Sequence, residues 1–318
     1  MDYTLHQLRI FVKVVEYQSI TKASGELYLT QPAVSLQLKK FQAQFAVPLT
    51  EVVGRKLYIT DFGKEIADYA QKILNEIDAI NYKTKSYKGQ LAGKIRLSAA
   101  STGKYVMPYF LTDFLKIHPN IDLVMDVTNK TLVVKSLEQN EVDFALVSVV
   151  PERLNLGIEQ LLSNQLYLVG GTNIQRNPKL PTRLIFEQYP LIYREYGSAT
   201  RSAMEEFIEE ENLPTYKKIE LTSNEAVKQA LIAGLGYSIM PIIGIKNELK
   251  SGDLEIIPHK KLPIVTNWNL VWLASKRLSP VAEAFLNFVK TEKEQIVKKY
   301  FGWFDEYSAF LKDKAKSK

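Results

Sequence analysis

Apolar residues recur at helical spacing from the start of the chain. Leu5, Leu8, Phe11, Val12 and Val15 define one inward face and predict a first helix. A shorter helical segment follows from Thr21 to Tyr28, with Ala23 and Leu27 on one side and Ser19 or Thr21 as its cap. Leu29-Thr30 makes a tight turn into a third helix. There Gln31-Pro32 places proline in the first turn, where its missing N–H costs nothing. Val34, Leu38, Phe41 and Phe45 form the buried stripe of that helix, and Gln31, Ser35, Gln37, Lys39 and Lys40 its polar face. Two short helices joined by a tight turn, the second offering amide, hydroxyl and ammonium groups, suit a DNA major groove. A helical hairpin with a merely solvated face would leave the same pattern. After Pro48, Val52 to Ile59 reads as a β-hairpin with Arg55 and Lys56 near its tip.

From Asp61 the pattern lengthens into one helix capped by Thr60 or Asp61. Ile66, Ala70, Ile73, Ile77, Ile80, Thr84 and Tyr87 follow alternating spacings of four and three, the seam of a coiled coil. Residues 61–90 are therefore expected to be a dimerising linker helix, against the alternative of a buried helix in a monomer. Ser86 to Gly93 closes it with two glycines. Beyond Lys94 short β-rich runs alternate with amphipathic helices. Strands are predicted at Ile95–Ala99, Ile121–Val127, Val142–Val147, 165–170, 190–193, 218–221, 236–240 and 268–274. Helices are predicted through Tyr109 and Phe114, from Thr131 to Gln139, and at 199–211, 224–233 and 279–299. Such alternation specifies an α/β domain with a mostly parallel sheet. Residues 300–318 carry Phe301, Trp303, Phe304, Tyr307 and Phe310, an aromatic and basic extension expected to dock on the protein's own surface or to make an oligomer contact.

The motif from Thr30, TQPAVSLQLKKF, followed by VPLTE and then GRKLYIT, resembles the N-terminal module of LysR-type transcriptional regulators over about sixty residues without a gap. Three positions depart from that pattern: Gln18 where the family usually has Gly, Lys22 for Ala, and Thr50 for an aromatic. The resemblance implies an N-terminal all-α winged helix-turn-helix over 1–60, the linker helix over 61–90, and a two-lobed, periplasmic-binding-protein-like α/β effector domain over 91–299. Its lobes would be about 91–162 with 266–299, and about 163–265. It also implies antiparallel pairing of the linker helices and a homotetramer. Thr30, Gln31, Pro32, Ser35, Gln37, Lys39, Lys40 and Arg55 become the DNA-binding set. Lys39, Lys40 and Arg55 would hold phosphates, while Gln31 and Ser35, with Gln37, reach base edges. Ile66, Ala70, Ile73, Ile77 and Ile80 become the dimer seam.

Hydroxyl-bearing turns at strand ends and helix N-termini suit an anion. Ser101-Thr102-Gly103, Thr128-Asn129-Lys130-Thr131 and Tyr196 to Arg201 are such turns. Each alone is most simply a helix cap. Together they resemble the family's effector-binding positions, implicating Ser101, Thr102, Thr128, Ser198, Thr200 and Arg201. Ser223-Asn224-Glu225 and Ala233 to Ser238 fit the same pattern, and Arg194 or Arg201 would pair with a carboxylate.

Charge changes this picture little. The net charge is +6, and residues 1–60 carry seven Lys/Arg against four Asp/Glu. That permits a polyanionic partner without demanding one. Chemistry is more sharply bounded. The absence of Cys excludes thiolate metal sites and cysteine nucleophiles. His6, His118 and His259 have no metal spacing, and no G-x-S-x-G elbow or P-loop is present. Gly234-x-Gly236 lacks a third glycine, and Glu205-Glu206 and Glu209 to Glu211 are most simply a solvated helix face. With no apolar run long enough to cross a membrane and no signal-peptide pattern at its start, the chain is expected in the cytoplasm. It is read as a DNA-binding regulator gated by a small-molecule effector, with no cofactor, metal or catalytic role. The alternative is a binding protein of the solute-receptor type without a DNA role.

Overall fold

The computed structural model describes residues 2–54, 56–86, 91–175 and 181–304, with backbone alone at 78, 79 and 81–86. The chain forms two compact units, Met1–Gly93 and Lys94–Lys318.

In the first unit, helix α1 (Leu5–Tyr17) begins at Thr4. The Thr4 hydroxyl accepts from the Gln7 N–H at 3.3 Å and the Gln7 side chain accepts from the Thr4 N–H at 2.9 Å, a reciprocal cap. Helix α2 (Ile20–Glu26) is capped by Ser19, and α3 (Gln31–Gln42) by Thr30. Leu8, Ile10, Phe11, Val14, Ala23, Val34, Leu38 and Phe41 meet in one core. Leu5, expected inside, is exposed: the buried face is turned around α1 to take in Ile10 and Val14, with Val12 and Val15 only partly buried. Strands β1 (Thr50–Val53) and β2 (Lys56–Ile59) pair antiparallel. Gly54 starts their two-residue turn at φ +54°, a left-handed value suited to glycine. Arg55 lies outside the described residues. Thr50, the departure from an aromatic, is held by polar contacts: its N–H and hydroxyl both donate to Gln42 Oε1, at 3.0 and 2.8 Å.

Helix α4 (Asp61–Ser86) corrects the expected seam. Ala67 and Ala70 are buried in the helix-turn-helix core, with Ile66 and Leu74 packed against it. Ile66 and Ala70 thus close their own unit and are not free for a partner. Alanine is small enough to let α4 approach α1 closely, which explains its use here. The adjacent face keeps Tyr69, Ile73 and Ile80 exposed, with Ile77 half-buried beside them. A heptad count alone merges these two faces, because they lie less than a right angle apart around the helix. Thr84 and Tyr87 lie outside the described side chains.

The second unit runs β3 (Gly93–Ala100), a 3-10 turn (Ser101–Tyr105), α5 (Met107–Ile117), β4 (Ile121–Thr128), α6 (Lys130–Glu138), β5 (Phe144–Val147) and β6 (Leu156–Gly171). It continues through α7 (Arg183–Gln188), β7 (Pro190–Arg194), α8 (Ala199–Glu210), β8 (Lys217–Leu221), α9 (Asn224–Ile232) and β9 (Tyr237–Pro241). It ends with α10 (Lys246–Ser251), β10 (Leu254–Ile257), β11 (Ile264–Leu273) and α11 (Pro280–Phe301). One sheet orders the strands β4-β3-β5-β11-β6-β9-β7-β8, with β10 also on β6. Strand pairs β3–β5, β7–β8 and β7–β9 are parallel, as alternation predicts. The expectation of a mostly parallel sheet fails at its centre. There β6 and β11 lie antiparallel over Leu156–Leu166 and Ile264–Leu273, with a register shift between Trp268 and Asn269. The chain passes from one lobe to the other along β6 and returns along β11, so an out-and-back pair must be antiparallel. The lobe boundaries expected at about 163 and 266 would fall inside these strands, where Asn164 Nδ2 donates to Thr266 Oγ1 at 3.0 Å.

The described part of the C-terminal extension docks on its own unit. Phe301 and Phe304 are buried, and the Tyr109 ring lies 5.3 Å from Phe301 and 4.8 Å from Tyr300. Tyr307 and Phe310 lie outside the described residues.

Gln18, the residue replacing the family's glycine, ends α1 at φ 46° in the left-handed region. A side chain there costs about 1 kcal/mol, tolerable because each fully buried Leu or Phe contributes roughly 1.5–3 kcal/mol. Gln18→Gly is therefore expected to raise the stability of this unit by about 1 kcal/mol, read from the urea midpoint at unchanged slope.

Candidate DNA-reading face and interlobe cleft

Helix α3 presents a continuous exposed surface. Thr30, Gln31, Pro32, Ser35, Lys39 and Lys40 are all exposed, as the sequence pattern requires. Gln37 is not among them: half-buried, it accepts a hydrogen bond from Gln7 Nε2 at 3.2 Å and ties α3 to α1. Its carbonyl oxygen is engaged by α1 and its side chain is half-buried, which sets it apart from the exposed base-reading candidates. Leu36, which periodicity had passed over, is 52% exposed between Pro32 and Lys40 on the outward face. An apolar residue there costs burial energy and suits contact with a thymine methyl. The signal was present in the sequence, since Leu36 falls outside the Val34/Leu38/Phe41 stripe. Lys39 and Lys40 occupy the last turn of α3, where the helix dipole favours cations.

In the second unit, β3 delivers Ser101, β4 delivers Thr128 and Asn129, and β7 delivers Arg194 to one cavity of about 320 Å³. Lys104, Val127, Glu195, Thr222, Ser223 and Asn224 complete its wall. Arg194 is buried, and its Nη2 donates to Ser101 Oγ at 3.0 Å across the lobes. Asn224 Nδ2 donates to the same hydroxyl at 3.1 Å. Glu195 folds back on its neighbour, accepting from Arg194 Nε and Nη2 at 2.8 Å each. Arg194 Nη1 and Asn224 Oδ1 are buried without a hydrogen-bond partner. A second bridge lies nearby, where the Thr131 N–H donates to Gly197 O at 3.4 Å. Gly197 has φ +82°, and a Cβ there would meet Thr131 Oγ1 at 2.7 Å, so this close approach requires glycine.

Of the expected effector residues, Ser101 and Thr128 line the cavity. Thr102 and Ser198 are buried but do not line it, and Thr200 is half-buried on α8. Arg201 requires a correction. Its guanidinium donates to Glu205 at 3.0 Å, to Glu220 at 2.6 Å and to the Arg194 carbonyl at 2.9 Å, and stacks 3.8 Å from the Tyr196 ring. Those bonds hold Arg201 charged against burial and fix the strand end that carries Arg194. Lys104 and Glu195 were missed. Lys104 follows Ser101 by three residues in the 3-10 turn, a legible spacing. No sequence rule shows that Glu195 turns back onto Arg194.

Charge also anchors the neighbouring helix. Burial would lower the Lys228 pKa, but bonds to Glu248 at 2.9 Å and Glu225 at 3.0 Å outweigh it and raise it, locking α9 to α10. Tyr105, at the end of the 3-10 turn, has its phenol pKa pushed up by burial. Among the described residues, no group of His, Asp or Glu could hold a metal ion, and no helix is long and apolar enough to cross a membrane.

A winged helix-turn-helix followed by two lobes around a polar cleft agrees with the sequence families matched. Residues 5–64 match the bacterial regulatory helix-turn-helix protein, lysR family, and residues 88–294 the LysR substrate binding domain. The chain belongs to the LysR family. Its relatives include the HTH-type transcriptional activator CmpR of Synechocystis sp., 33% identical over 92% of this chain and 97% of that protein. The RuBisCO operon transcriptional regulator of Allochromatium vinosum is 34% identical over 92% and 97%. Among solved structures, the Synechocystis PCC6803 CcmR regulatory domain in complex with 2-PG is 29% identical, with TM-score 0.59 over 63% of this chain and 97% of that one. Full-length CbnR complexed with its target DNA shares the fold, at 17% identity and TM-score 0.67 over 91% and 99%.

The two arginines of this LysR-family chain should separate cleanly by mutation. Arg201→Met is expected to lower stability by about 2 kcal/mol, because it strips partners from Glu220 and the Arg194 carbonyl. Arg194→Met is expected to abolish anion binding by titration calorimetry. Equal effects of both variants on binding would place Arg201 in the cleft after all.

Proposed function

We propose that this chain is a sequence-specific DNA-binding transcriptional regulator, acting as a homo-oligomer and answering to a small anion bound between its lobes. The carrying observation is the buried Arg194, bridged to Ser101 of the other lobe in a cavity that also holds Lys104. A guanidinium with a hydroxyl and an ammonium group beside it suits a carboxylate or phosphate. The CcmR regulatory domain solved with 2-PG supports a small-molecule ligand for this fold.

Gln31 and Ser35, with Leu36, are the base-reading candidates on α3, and Lys39 and Lys40 the phosphate contacts, with Arg55 kept as a third from the sequence pattern alone. Pairing through the Tyr69, Ile73, Ile77 and Ile80 face of α4 would hold two reading helices at a fixed spacing on a pseudo-palindromic site. A further pairing of the α/β units would give a tetramer. Anion binding would favour one arrangement of the lobes and so shift which arrangement of the paired heads is populated. The protein then works in the cytoplasm, with no cofactor and no catalytic step. Relatives named as RuBisCO operon regulators make a RuBisCO operon promoter the first DNA to try.

Gel-shift titration against that promoter and against the intergenic region beside its own gene, at two salt concentrations, tests this reading. Specific retardation that outlasts competitor DNA supports it; its absence, with and without candidate anions, removes the DNA role. Gln31→Ala should cost on the order of 1–3 kcal/mol and relax base preference at one position. Lys40→Ala should weaken all sequences alike and reduce the salt slope by about 1. Ile73→Asp should halve the mass of the oligomer in sedimentation while the head stays folded, and an unchanged mass would exclude the α4 face.

A further inference from the structure

The cavity wall carries hydrogen-bond acceptors as well as cations, and that mixture restricts the ligand beyond its charge. Arg194 and Asn224 are 3% and 2% exposed, so water reaches neither side chain freely. Each has one polar atom without a partner: the Arg194 Nη1 donor and the Asn224 Oδ1 acceptor. Buried polar groups are almost always paired, and both residues line the cavity, so a bound molecule that reached these two atoms would supply the missing partners. Ser101 Oγ already accepts from Arg194 and Asn224, so its own hydrogen remains to be donated. The Glu195 carboxylate meets Arg194 with both oxygens, yet each oxygen retains further acceptor capacity. The wall therefore offers donors at Arg194, Ser101 and Lys104, acceptors at Asn224 and Glu195, and hydroxyls or an amide able to do either at Thr128, Asn129, Thr222 and Ser223. A bare anion would satisfy the donors, leave Asn224 Oδ1 unpaired, and meet the Glu195 charge with nothing to offer it.

We propose that the effector is a small carboxylate or phosphate that also bears at least one hydroxyl, and that Asn224, with Glu195, selects for this hydroxyl. The inference rests on the cleft being the effector site. A hydroxyl donor pairs with Asn224 Oδ1, and the anionic oxygens take the protons of Arg194, Ser101 and Lys104. Glu195 has a second consequence. By neutralising part of the arginine's charge, it lowers the attraction for any anion and leaves the hydroxyl to decide among them. A site built to bond a hydroxyl rejects the analogue lacking it far more strongly than an apolar pocket rejects an extra one.

The test uses the full chain and two matched pairs of ligands that differ in one hydroxyl: 3-phosphoglycerate against its 2-deoxy analogue, and malate against succinate. Calorimetric titration of the unaltered protein should show the hydroxylated member of at least one pair bound roughly tenfold or more tightly. Asn224→Ala should bring the two members of that pair to within about twofold, chiefly by weakening the hydroxylated one. Glu195→Gln should tighten every anion, because it removes a negative charge from the wall. Equal binding of the paired ligands to the unaltered protein overturns the proposal without the need for any variant. A preference that persists in Asn224→Ala overturns the role of that residue. Binding that survives Arg194→Met, or no binding of any of the four ligands, overturns the cleft reading itself and so separates the two failures.

Discussion

A buried guanidinium is the constraint on which the second unit depends. Taking Arg194 out of water is expensive unless its protons are met, and its position at the end of β7 puts it where two lobes converge. Glu195, the next residue, supplies the compensating charge from its own lobe, and Ser101 supplies a hydroxyl from the other. Arg201 braces the same strand end from behind by bonding the Arg194 carbonyl. The cleft is therefore bridged before any ligand enters.

The two lobes share a pair of long central strands. β6 and β11 belong to both lobes, with the polar Asn164–Thr266 contact close to the bulge at Trp268 and Asn269. A sheet that is continuous through the crossing resists shear but tolerates a change of twist.

The head unit solves a different problem with the same economy. One helix, α4, completes a small core and keeps an adjacent apolar face exposed. It does so by dividing its circumference: small alanines and Ile66 on the side toward α1, and Tyr69, Ile73 and Ile80 on the adjacent side. The polar Thr50–Gln42 contact shows a similar substitution of means, with hydrogen bonds holding the wing where the family uses an aromatic ring.

Local periodicity and capping chemistry determined much of this protein by themselves. The three head helices, the hairpin, the long helix from Asp61 and the strand–helix alternation after Lys94 are all written in residue spacing, because neighbours along a helix or strand decide its burial. Short elements such as β10, α7 and α10 were not legible, since a strand of four residues or a helix of six has too few positions to show a period. The site divided along the same line. Ser101 and Thr128 could be named because hydroxyls at strand ends have a local meaning. Gln37, Ala70 and Arg201 were misassigned because each has the right chemistry for its expected role but meets its partner at a distance in sequence: Gln7, the α1 core and Glu220. The two arginines look alike in the chain, seven residues apart. Only the tertiary structure decided that Arg194 faces the cleft and Arg201 the support behind it, because that choice depends on which strand and helix ends pack together.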